Sequence, residues 1–74
     1  MRHVFLIGEL PSWTTASAVE EAIRRNLDAR DDVKASPNVL IKGTRVNVVG
    51  IPEHVADDLR KWFAEKLRTG DFTG

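Results

Sequence analysis

Asn38-Val39-Leu40-Ile41-Lys42-Gly43-Thr44-Arg45-Val46-Asn47-Val48-Val49 is the stretch that decides the fold of this 74-residue chain. Two runs rich in β-branched and aliphatic residues flank Lys42-Gly43, where glycine supplies the positive φ of a tight reversal. The stretch therefore reads as a hairpin of 38–41 and 44–49. With Lys42 and Gly43 as the loop, Ile41 faces Thr44 and Val39 faces Val46. Side chains alternate between the faces of a strand, so Val39, Ile41, Val46 and Val48 share one face. Leu40, Arg45, Asn47 and Val49 fall on the other, which is half apolar and half polar.

N-terminal to the hairpin, His3-Val4-Phe5-Leu6-Ile7 is a strand with apolar side chains on both faces. Val4 and Leu6 point one way, Phe5 and Ile7 the other. The run ends at Gly8-Glu9-Leu10-Pro11, since proline donates no ladder hydrogen bond. Ser12 to Ala16 is a linker of turn and capping residues. Ser17 with Glu20 forms a capping box, with Thr15 as a rival N-cap. A helix follows to about Arg30, with Val19, Ala22, Ile23 and Leu27 as its buried stripe. Glu20 and Glu21 stand four residues ahead of Arg24 and Arg25 as favourable pairs on its wet side. The polar connection from Asp31 to Pro37 leads into the hairpin.

Beyond the hairpin, Gly50-Ile51-Pro52-Glu53 opens a second helix, with proline suited to its first turn. Val55, Leu59, Trp62, Phe63 and Leu67 recur at helical spacing, and Gly70 is the expected C-terminal cap. Residues 71–74 read as a loose tail of a single domain spanning 1–74. The chain is thus expected to be α+β, a two-layer β-α-β-β-α sandwich. Both helices lie on one face of a three-stranded mixed sheet, with a right-handed crossover through the first helix.

A domain of this length buries roughly 60% of its unfolded surface, and its core yields about 3–5 kcal/mol. Cysteine is absent, so neither a disulfide framework nor a thiolate metal site supplements that core. Basic and acidic residues balance at 11 each, which argues against a protein that works by blanketing phosphates. The apolar run near the N-terminus is too short for a membrane span or a secretory signal, so a cytoplasmic location is expected.

No residue cluster announces a reaction. His54 and Asp58 share a helix face at a spacing that suits a metal, but two ligands do not make a site. Asp31-Asp32 and Asp57-Asp58 are adjacent pairs, whose side chains diverge on a helix and need not converge in a loop. Neither a hydrolase triad, a phosphate-binding glycine loop nor a zinc pattern is present, and the expectation is a non-catalytic chain without cofactor or metal. Trp62 and Phe63 lie on the stripe of their own helix and read as core. Trp13 stands outside any periodic pattern, as a lid over the core or as a projecting aromatic.

Two helices cover one side of a small sheet, and the first strand is apolar on both. A second copy or another protein is expected to cover the open side, through Phe5 and Ile7 with Leu40 and Val49 beside them. Phe5 and Ile7 are taken as the outward pair because polar His3 shares their parity. The alternative occupant is single-stranded RNA or DNA, stacked on Phe5 and neutralised by Lys42 and Arg45.

The order of elements, Val46-Asn47-Val48-Val49-Gly50 leading into a helix that carries Trp62, and the Asp71-Phe72 tail together resemble the DinI-like damage-inducible proteins. The resemblance spans nearly the whole chain, in topology and spacing more than in identities. It implies a regulator of the RecA recombinase filament that binds through acids of its last helix, here Glu53, Asp57, Asp58 and Glu65. Arg60, Lys61, Lys66 and Arg68 interrupt those acids and leave the helix nearly neutral.

Overall fold

The hairpin turns one residue later than the sequence reading places it. In the computed structural model, which describes residues 3–33 and 37–72, β2 (Asn38–Lys42) and β3 (Arg45–Val49) pair antiparallel. Lys42 lies opposite Arg45, Ile41 opposite Val46 and Val39 opposite Val48. Gly43 and Thr44 form the loop. Gly43 has φ +60°, and no non-glycine residue among those described has a positive φ. That is the sign pattern of a type II′ turn with glycine first, which matches the right-handed twist of its strands. Moving the loop by one residue changes each partner by two positions, and two is the period of a strand. The partners therefore differ from the expected ones while the faces stay the same. Val39, Val46 and Val48 are buried, and Ile41 is half-buried against the core.

β1 (Val4–Glu9) pairs antiparallel with β3, giving the strand order β1-β3-β2. The sheet is antiparallel throughout, where a mixed one is expected. β1 and β2 do run in the same direction, as a return through a helix requires, but they are not neighbours. The hairpin folds β3 into the space between them, where its ladder is satisfied on both sides and its valines reach the centre of the core.

β1 does not keep a simple alternation. Leu6 pairs with Asn47 and Gly8 with Val46, so Ile7 is an extra residue, a β-bulge. Ile7 is buried, and a Cβ built on Gly8 would meet the ring of Phe63. Both residues therefore face the helices, and Phe5 packs against the core from the same side. The outward pair is Val4 and Leu6. The expectation that Phe5 and Ile7 point outward is corrected, because the bulge resets the phase of the strand.

α1 (Ala16–Asp28) begins at Thr15, whose Oγ1 accepts from the Ala18 backbone N–H at 3.2 Å. The Ser17–Glu20 box does not form. Glu20 instead accepts from Arg24 Nε, one turn on. Val19, Ala22, Ile23 and Leu27 are buried, as their spacing predicts. α2 (Glu53–Thr69) follows Pro52 and ends at Gly70, whose φ of +73° closes the last turn onto the Lys66 carbonyl. Val55, Leu59 and Phe63 are buried along it together with Ala56, while Trp62 is half-buried and Leu67 is exposed.

One hydrophobic cluster joins Ile7 of β1, the α1 stripe, Val39, Val46, Val48 and the α2 stripe between helices and sheet. It also takes in Phe72, from the stretch expected to be loose. Phe72 is buried against Phe63 and Trp62, with ring centroids 5.1 and 5.8 Å away, and Trp13 stacks on it at 5.4 Å. Residues 34–36 of the polar connection and 73–74 of the tail lie outside the described residues.

Candidate functional site: the outer face of the sheet

With both helices on the inner face, the outer face is a grid whose rows follow from strand register. The first row is Val4, Val49 and Asn38; the second is Leu6, Asn47 and Leu40; the third is Glu9, Arg45 and Lys42. In each row the middle residue comes from the central strand. Val4, Leu6 and Leu40 are 58%, 46% and 41% exposed, and Val49, flanked on both sides, only 8%. The first two rows carry four aliphatic side chains and two asparagines, whereas the third, at the hairpin end, carries only charges. An apolar surface graded into a charged end suits a protein or peptide surface better than a small-molecule cavity.

The residues expected to bind a partner are divided by this arrangement. Leu40 and Val49 lie on the outer face. Ile7 is in the core, and Phe5 is inward, half-buried at the free edge of β1 with its ring 6.0 Å from the Arg60 Cζ. Val4 and Leu6, the pair passed over in favour of Phe5 and Ile7, are the first strand's outer-face residues. The nucleic-acid set is divided too: Lys42 and Arg45 are adjacent on the outer face, and Phe5 is on the opposite one. A base stacked on Phe5 would therefore not have Lys42 and Arg45 on its own side of the sheet.

Arg60, one of the bases that interrupt the acids of α2, caps a carbonyl at the free edge of β1. Its Nε donates to the Leu6 carbonyl at 2.9 Å, and its Nη1 meets Asp57 Oδ1 at 2.9 Å. An edge carbonyl occupied in this way is unavailable to another strand.

The acids of α2 lie along an exposed surface, but three of the four are in ion pairs. Asp57 pairs with Arg60, Asp58 with Arg30 at 3.0 Å, and Glu65 with Arg68 at 2.6 Å. Asp58 belongs to a network that ties the end of α1 to α2. Arg30 reaches both carboxylate oxygens of Asp32, at 2.9 and 3.0 Å, and His54 Nε2 lies 2.8 Å from Asp32 Oδ2. The Arg30 hydrogen bonds, and then that of His54, hold the Asp32 carboxyl well below the usual aspartate range. His54 and Asp58 thus engage different members of the network. Among the described residues, no group of three or more His, Cys, Asp or Glu is placed to hold a metal ion.

The fold and this surface define a small α+β two-layer domain with an open sheet face. No family model, curated protein or solved structure matches the chain. Among the described residues, no helix is long and apolar enough to cross a membrane.

Proposed function

We propose that this chain is a small non-catalytic interaction module that regulates a protein partner docked on the outer sheet face. The observation that carries this reading is the block formed by Val4, Leu6 and Leu40. Three aliphatic side chains stand exposed in adjacent rows of one sheet face while the helices occupy the other. Apolar side chains in such a block lose water on contact, and the neighbouring Glu9, Arg45 and Lys42 fix the orientation of what docks. A cytoplasmic site of action belongs to the same proposal.

The DinI-like resemblance adds a recombinase filament as the first partner to assay. The test compares the parent chain with Val4→Lys and Leu6→Lys for binding to recombinase assembled on single-stranded DNA, and for capture of other proteins from cell extract. Both substitutions replace exposed side chains, so the melting temperature serves as the folding control. Binding that is lost in both variants supports the outer face. Binding that survives both, or no protein bound by the parent chain, overturns the reading.

A further inference from the structure

We propose that the free edge of β2 pairs with the same edge of a second copy, antiparallel about a twofold axis at Leu40. Two three-stranded sheets then become one of six strands. This goes beyond the outer-face reading, because it concerns the sheet's edge and stands or falls separately.

The backbone geometry is the first support. In a two-residue hairpin the residues flanking the loop, here Lys42 and Arg45, form a hydrogen-bonded pair, and bonded and non-bonded pairs alternate from there. Lys42, Leu40 and Asn38 therefore turn their N–H and C=O groups toward β3, and Val39 and Ile41 turn theirs to the free edge. The same alternation, carried across β3, sends the Leu6 carbonyl to the free edge of β1, where Arg60 meets it. The two edges are thus unlike: one is engaged by a guanidinium, and among the described residues nothing pairs with the other. Beside the open edge runs a groove of about 590 Å³ between β2 and α1, lined by Val39 and Ile41 and by Ser17, Glu20 and Arg24. It leaves the lane next to β2 clear of the helix.

The occupant follows from self-complementarity. Pairing β2 with itself about Leu40 sets Val39 against Ile41 of the second copy, and both residues present outward hydrogen-bonding groups. It sets Asn38 against Lys42, so no like charges meet, and Leu40 against Leu40, covering two exposed leucines. All five residues of the strand find a counterpart. A twofold axis also runs the two α1 helices antiparallel on the inner layer. Their exposed flank reads Glu20, Glu21, Arg24, Arg25, two acids followed by two bases. Reversed against itself, that order brings the acids of each copy toward the bases of the other. Strand and helix are both matched to their own reversal, and a second copy of the chain satisfies them together.

Sedimentation velocity from micromolar to hundreds of micromolar, paired with amide hydrogen exchange at both extremes, tests the pairing. The expected result is a dimer at high concentration, with the Val39 and Ile41 amides slowed there and fast in the dilute monomer. Leu40→Lys places like charges at the axis and should weaken association about tenfold or more without unfolding the monomer. Glu20→Arg with Glu21→Arg should also weaken it, and adding Arg24→Glu with Arg25→Glu should restore it. A monomer throughout the range overturns the proposal. So does a dimer whose Val39 and Ile41 amides exchange as fast as in the monomer, or a charge swap that fails to restore association. Outer-face docking is read separately with Leu6→Lys, two strands away from this edge.

Discussion

Gly8 lies against the ring of Phe63 so closely that a Cβ at position 8 would sit 2.7 Å from both Cδ1 and Cε1. That contact joins the bulged strand to α2 at the centre of the molecule. Gly8→Ala should destabilise the fold by about 1–3 kcal/mol, because Phe63 is buried and its ring cannot swing into solvent. A double-mutant cycle with Phe63→Leu, read by urea denaturation, should show coupling between the two sites. Additive losses would mean that glycine is required there for its backbone alone.

The start of α1 offers a comparison between two hydroxyl residues. Thr15→Ala removes the oxygen that accepts from Ala18 N–H and should cost about 1 kcal/mol. Ser17→Ala, within the first turn and exposed, should stay within about 0.5 kcal/mol of the parent. Equal losses in thermal melts would contradict Thr15 as the cap.

Phe72 should behave as a core residue despite its place near the end of the chain. Phe72→Ala should cost about 3–5 kcal/mol, a large part of the stability of a small domain. It should also shift Trp emission to the red, because Trp13 and Trp62 both lose a ring neighbour. An unchanged melting curve would show that Phe72 is not part of the core.

The Arg30–Asp32–His54 network makes an acid-limb prediction. The Asp32 carboxyl is held below its unfolded value, so the unfolded chain takes up the proton first as the pH falls. Its contribution is present in full above the ordinary aspartate pKa, about 3.9, and is lost as the pH falls from there through the lower folded-state value. Asp32→Asn should flatten that part of the stability-against-pH curve. An acid limb with the parent's slope would show that Asp32 is not part of it.

What the sequence made legible was whatever repeats with the period of its element. Val19, Ala22, Ile23 and Leu27 are buried as spaced, and the hairpin faces held although the loop moved, because alternation is blind to a two-position slip. The first strand was not legible in this way. With apolar residues at every position from Val4 to Ile7, nothing in the pattern marks its phase, and a bulge then turns Ile7 and Gly8 to the same side. The parity of His3 was too weak a signal, and the result was the inverted choice of Phe5 and Ile7 over Val4 and Leu6. Glycine inside a strand was the available hint. Phe72 escaped for a different reason: its stacking partner Trp13 sits near the other end of the chain, and neither belongs to a periodic run. The capping box failed because Thr15 caps the helix two residues earlier, which places Ser17 inside the first turn and Ala18, not Glu20, at the position the box needs.

The guanidinium of Arg60 on the Leu6 carbonyl sets how many strands this sheet can recruit. A β-sheet with two receptive borders is divalent and can grow without limit, each added molecule exposing a fresh border. Here the Arg60 bond and the bulge interrupt one border while the described residues leave the other uninterrupted, so the two borders are unequal in what they offer an incoming strand. The rim of this small sheet thereby works against fibre growth through the inequality of its two edges.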